Sequence, residues 1–156
     1  RVNKSYIRVE SDEVTYPLHV ILRFNLEQKI FNENINLKDI PELWNQEYKR
    51  LFAKEVDNDS NGCLQDVHWY AGLFGYFPTY SLGALTAAQL ASQLREDVKN
   101  LDQQVEKGDF NELIEWLKLN IHSKASLYST NEILQQVTNS ELNAKYFMDY
   151  IKNRYL

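Results

Sequence analysis

The sequence predicts an all-α fold, and three observations carry the prediction. Glycine and proline number only five and three in 156 residues, so few positions oppose a helix. Apolar residues recur at steps of three and four along several segments, the spacing that builds one buried helical face. Several segments open with a Ser/Thr/Asp-x-x-Glu pattern, and no run shows the sustained alternation of a strand. With 44% apolar residues the chain can build a core, and its length suits one domain with no internal boundary.

The elements follow in order. Ile7, Ser11, Val14, Leu18, Ile21 and Leu22 predict a long helix over about 4–31, kinked or split at Pro17, which removes a backbone donor. A polar loop, Asn32–Asn36, leads to a second helix over about 40–54. Asp39 and Glu42 form its capping pattern, and Pro41 lies in its first turn. Asp57–Gly62 (DNDSNG) is a turn-rich loop, followed by a short helix over about 64–72. Gly75–Pro78 breaks the chain. A longer helix over about 79–104 carries Leu82, Leu85, Leu90 and Leu94. Asp109-x-x-Glu112, Ser129-x-x-Glu132 and Thr138-x-x-Glu141 open the last three helices, the final one reaching about Tyr155.

Charge and cysteine content narrow the function. The net charge is −5 and the basic residues are scattered, so there is no basic stripe for nucleic acid and no polybasic face for a membrane surface. No stretch approaches the roughly 20 apolar residues of a membrane span. Cys63 stands alone, which excludes a disulfide framework and fits a reduced, cytoplasmic setting. The chain opens at Arg1, without an initiator methionine, on residues that read as the inside of a helix, so an upstream part is expected.

Three segments could carry chemistry. On the first predicted helix, Arg8, Asp12, Thr15, His19 and Arg23 share one face. That face is either a solvated surface with an Arg8–Asp12 ion pair, or a cleft wall in which Arg8 binds an anion and Asp12 fixes its guanidinium. In Gly62-Cys63-Leu64-Gln65-Asp66-Val67-His68-Trp69, a helix would turn His68 inward with Leu64, Val67 and Ala71. There His68 is a core histidine or a catalytic one, Asp66 is poorly placed to orient it, and Cys63 is inert. The third segment, Gly75-Tyr76-Phe77-Pro78-Thr79-Tyr80 with Leu82-Gly83, reads as a rigid aromatic loop entering a helix. Its tyrosine hydroxyls could meet a ligand, or the loop could be a buried connection. His19, His68 and His122 are far apart, and no His-Glu-x-x-His, phosphate loop or Gly-x-Ser-x-Gly elbow is present.

Those three segments also carry a resemblance. Ile7-Arg8-Val9-Glu10-Ser11-Asp12 resembles the I/N-R-x-x-A/S-D motif of the carboxypeptidase Taq family of metallocarboxypeptidases, continued by Glu13 to His19. Gly62 to Trp69 is similar to that family's G-x-x-Q-D-x-H-W at every fixed position, and Gly75 to Gly83 to its G-Y-F-P-T-Y-x-L-G. Pro41-Glu42-Leu43-Trp44-Asn45 looks like its linking helix. The likeness runs from Val2 to the end, with Ala125 and Asn139 where the family has glycine.

The resemblance implies a single elongated helical domain that forms the C-terminal part of a larger, mostly helical and often dimeric metallopeptidase. Such an enzyme removes C-terminal amino acids from peptides. It uses zinc or cobalt held by an upstream His-Glu-x-x-His and a further Glu, so this chain alone is expected to bind no metal and to be inactive. By the same resemblance Arg8 would take the terminal carboxylate, with Asp12 beside it. His68 and Tyr76 would line the groove and stabilise an oxyanion, and Gln65, Asp66, Trp69 and Tyr80 would support them. The alternative is a non-catalytic helical binding module that keeps the groove.

Overall fold

A computed structural model describes all of residues Arg1–Leu156. The chain is all-helical, with helices α1 (Tyr16–Asn32), α2 (Ile40–Phe52), α3 (Pro78–Asp97), α4 (Leu101–Glu106), α5 (Asn111–Asn120), α6 (Thr130–Thr138) and α7 (Lys145–Tyr155). Short 3-10 turns occupy Arg8–Glu10, Leu37–Asp39 and His122–Lys124. It folds as two compact units, Arg1–Ser81 and Leu82–Leu156, and the division falls inside α3. No helix is long and apolar enough to cross a membrane.

The first predicted helix is the largest departure. Residues 4–15 are not helical apart from one 3-10 turn, and α1 begins at Tyr16. Pro17 therefore starts a helix instead of kinking one, because in the first turn its missing N–H would have no helical partner anyway. Asp12 prepares that start. Its Oδ1 accepts from the Val14 and Thr15 amides at 3.0 and 2.9 Å, while its Oδ2 accepts from the Asn3 amide at 2.6 Å. Asp12 thus serves the backbone and does not pair with Arg8.

The segment 64–72 is a series of turns, not a helix. The predicted 79–104 helix is two, interrupted at Asn100, whose φ of 62° is left-handed. Of the capping patterns only Ser129–Glu132 closes into a full box. Asp39 makes no side-chain cap. Asp109 instead accepts from the Asn111 amide just ahead of α5. Thr138 ends α6, its hydroxyl donating to the Leu134 carbonyl at 2.8 Å, as Ser and Thr do when they bond back along a helix.

The core of the first unit joins α1 to α2. Leu22, Leu26, Trp44, Tyr48, Phe52 and Cys63 are buried together, and the Tyr48 and Phe52 rings, one helical turn apart, stack at 4.3 Å. Burial and the nearby Asp59 carboxylate push the Cys63 thiol up, away from a reactive thiolate. In the second unit Leu94, Val98, Leu101 and Trp116 form the core. Gln89, fully buried there, contacts the Thr138 and Ser140 hydroxyls with its amide nitrogen at 2.8 and 2.9 Å, and its oxygen accepts from the Asn143 amide at 2.9 Å.

The two positions at which glycine is expected are both strained. Ala125 holds φ 46° and ψ −126°, and Asn139 holds φ 55°. Asparagine tolerates the left-handed region, whereas alanine at Ala125 carries a Cβ penalty. Ala125→Gly is expected to stabilise the protein by about 1 kcal/mol, read as a higher urea midpoint at unchanged m-value. An unchanged or lower midpoint would show that the turn is not strained.

Candidate functional site

The site is built on the buried face of α1. His19, Arg23 and Glu27 lie one helical turn apart, and all three are almost wholly buried, although each is polar or charged. Groups of this kind need fixed partners when removed from water. Arg23 and Glu27 find theirs in the turns that follow Gly62, and His19 finds the Ser5 carbonyl.

Asp66 is the common acceptor. Its Oδ2 takes the Nε–H groups of Arg8 at 2.7 Å and of Arg23 at 3.1 Å. Its Oδ1 takes Arg8 Nη2 at 3.3 Å and His68 Nδ1 at 2.6 Å. Burial alone would push the Asp66 carboxyl up. The Arg8 hydrogen bond and the Arg23 charge outweigh it and hold the carboxyl down at about 2. Arg23 shows the opposite balance, since burial lowers it to about 10 despite Asp66. For Arg8 burial is overcome by the bond to Asp66, and its pKa is raised.

Gln65 saturates the same cluster. Its Oε1 accepts from the Arg8 backbone N–H at 3.0 Å and Arg23 Nη2 at 3.1 Å, and its Nε2 donates to the Tyr6 and Asn61 carbonyls, both at 2.8 Å. One amide therefore ties the N-terminal strand of chain, α1 and the Gly62 turn together.

Because 64–72 is a turn, Asp66 reaches a residue that a regular helix would have carried away from it. The Asp66 carboxylate only accepts, so a proton lies on Nδ1 of His68, and Nε2 shares a hydrogen bond with the Tyr80 hydroxyl at 3.0 Å. The imidazole is 8% exposed and lies against Phe77, ring centres 4.5 Å apart, and Tyr76 at 5.6 Å. The expectation that Asp66 is poorly placed to orient His68 is corrected by this contact.

Arg8 is held rigidly. Its guanidinium lies 4.9 Å from the Tyr80 ring centre and 5.6 Å from those of Tyr16 and Phe77, and its Nη1 donates to the Tyr16 hydroxyl at 2.5 Å. Of the five N–H groups of a guanidinium, three are used, and one on each Nη is left for a further acceptor. Tyr76 is 44% exposed and its hydroxyl bonds to no other residue. Trp69 donates from Nε1 to Glu27 at 2.8 Å.

The structure thus gathers Arg8, Gln65, Asp66, His68, Tyr76 and Tyr80, places Trp69 at one margin, and leaves Asp12 at the start of α1. Sequence reasoning did not assign Tyr16, Arg23, Glu27 or Phe77. Arg23 and Glu27 continue the four-residue spacing from His19, and that run of polar residues beside an apolar stripe was the available signal. No group of three or more His, Cys, Asp or Glu residues comes together, so the residues of this chain do not fit a metal ion.

His19 is buried, with Nε2 donating to the Ser5 carbonyl at 3.2 Å and Nδ1 without a partner. Burial, then the Arg23 charge, lowers it to about 4 from 6.5. A lowered histidine adds stability that is complete above its unfolded value and disappears as pH falls through the folded one. Unfolding measured by urea is expected to become easier between pH 6.5 and 4, and His19→Gln should flatten that slope. An identical slope in the variant would assign it elsewhere. Asp66→Asn is expected to cost about 3–5 kcal/mol, because it leaves two buried guanidinium groups short of a carboxylate, and a loss below 1 kcal/mol would contradict this.

A family model described as carboxypeptidase Taq (M32) metallopeptidase matches residues 1–155. Carboxypeptidase 1 of Bacillus subtilis is 42% identical over 151 residues, which is 97% of this chain and 30% of that protein. Thermostable carboxypeptidase 1 of Pyrococcus furiosus is 40% identical over 155 residues, 99% of this chain and 31% of its own length. Among solved structures, metallocarboxypeptidase 1 of Trypanosoma cruzi superposes with a TM-score of 0.94 at 40% identity, covering 99% of this chain and 33% of that one. The chain spans about three tenths of the length of the curated relatives it matches.

Proposed function

Because the chain belongs to the carboxypeptidase Taq (M32) metallopeptidases, we propose that it is the substrate-binding side of a metal-dependent enzyme that releases C-terminal amino acids from peptides. On this reading it works as part of a longer protein. The zinc or cobalt ion and the water-activating groups belong to the part outside this chain, which by itself is inactive.

Arg8 carries the reading. An exopeptidase must recognise a chain end, and a terminal carboxylate is best held by a cation with paired, fixed donors. Asp66 and Tyr16 fix the plane of Arg8, and one N–H on each Nη remains to meet a second carboxylate. Two guanidinium groups share the Asp66 carboxylate, so the cluster keeps a surplus of positive charge that an anion would balance. Preorganisation of this kind lowers the ordering cost of binding.

Tyr76 supplies a further donor. His68 is held by Asp66 and orders Tyr80, and the Tyr76 hydroxyl is free to donate to an oxygen that gains charge during hydrolysis. A non-catalytic module retaining the same groove would bind peptide ends without cleaving them.

The test is release of the C-terminal residue from a blocked dipeptide, with zinc or cobalt supplied, by the full-length protein and by this chain. Release by the full-length protein alone is expected. Activity in neither favours the binding module, and chelator-sensitive activity in this chain would place the metal site here. In the full-length protein Arg8→Ala should raise KM by about 10- to 100-fold, the loss of a charge-assisted bond. An unchanged KM on peptides with a free C-terminus would remove Arg8 from the site.

A further inference from the structure

We propose that Glu27 is a positioning residue that sets the aromatic loop of this site, and through it the Tyr76 hydroxyl. The inference rests on the reading of the chain as the groove side of a carboxypeptidase.

Glu27 is 3% exposed and lies in the last part of α1. Its Oε1 accepts from the Trp69 indole N–H at 2.8 Å and its Oε2 from the Gly75 backbone N–H at 3.0 Å. Both donors are neutral. Arg23, one helical turn earlier, spends its guanidinium on Asp66, Gln65 and the His19 carbonyl. A carboxylate removed from water without a cation is costly, and a core position could be filled by an apolar side chain at less expense. The structure spends that cost on two points of one loop.

Those points bracket residues 69–75, which join the His68 turn to the Tyr76–Tyr80 segment. Trp69 is the last residue of the second motif and Gly75 the first of the third. Gly75 has φ 75°, a conformation that suits glycine, so its amide is aimed by the backbone as well as by Glu27. The Trp69 and Phe74 rings stack at 6.3 Å, and Phe74 meets Phe31 of α1 edge-on at 5.1 Å. The next residue after Gly75 is Tyr76, half exposed and placed beside His68. With Glu27 holding both ends, the loop cannot shift without breaking a bond to a buried carboxylate. Arg8, by contrast, is anchored through Asp66 and Tyr16 and touches neither end of this clamp.

That separation gives the experiment its readout. In the full-length protein, Glu27→Gln keeps the size of the side chain but turns an amide NH2 toward one of the two donors. Release of the C-terminal residue from a blocked dipeptide should then show kcat lowered by about tenfold or more with KM within about twofold. Trp69→Phe, which removes only the indole donor, should move kcat the same way by less, and the double variant should lose less than the product of the two. The second variant carries the test if the first does not fold. Wild-type kcat in both variants, or a KM that rises as much as kcat falls, would overturn the assignment of Glu27 while leaving the carboxypeptidase reading intact. A wild-type protein that releases no C-terminal residue overturns that reading, and the role of Glu27 falls with it.

Discussion

The Asp66 carboxylate is the group on which the site depends. Three cationic or proton-bearing side chains converge on its two oxygens, and each comes from a different stretch of chain: Arg8 from the N-terminal 3-10 turn, Arg23 from α1, and His68 from the turn that follows Asp66 itself. Neither arginine could be buried alone at tolerable cost, since an isolated guanidinium in a low-dielectric interior is unfavourable by many kcal/mol. Sharing one carboxylate makes burial possible and at the same time fixes the relative position of all three. The cluster is therefore a geometric constraint more than a source of net stability.

The buried face of α1 distributes this constraint. His19 anchors to Ser5, Arg23 to Asp66 and Gln65, and Glu27 to Trp69 and Gly75. A single helix thus sets three irregular segments, each without regular backbone bonding of its own. The apolar part of the same helix packs Leu22 and Leu26 against Trp44, Tyr48 and Phe52 of α2. That packing supplies the hydrophobic stabilisation that the polar stripe consumes. Rigid helices carry the groups, and the turns between them present Arg8 and Tyr76.

The second unit solves a smaller version of the same problem. Gln89 holds the Thr138–Asn143 connection much as Gln65 holds the N-terminal segment, by saturating an amide with backbone and hydroxyl groups. Ala125 and Asn139 show the limit of local sequence reading there. Their left-handed backbones are dictated by how the helices around them are joined, and the side chains present are tolerated, not preferred.

The sequence by itself determined the helical class, most helix positions from α2 onward, and the three motifs that hold the site. These follow from periodicity, caps and local residue order, which act over a few positions. It did not determine that residues 4–15 and 64–72 are turns. Both segments carry apolar residues at helical spacing, so local pattern favoured a helix. The preference is overridden because Arg8, Gln65 and Asp66 gain buried partners more than 40 residues away only when the backbone bends. The pairing of Arg8 with Asp66 in place of Asp12, and the capture of Trp69 and Gly75 by Glu27, were likewise decided by the tertiary structure. A buried charge takes the partner that the fold brings to it, and sequence separation says nothing about which one that is.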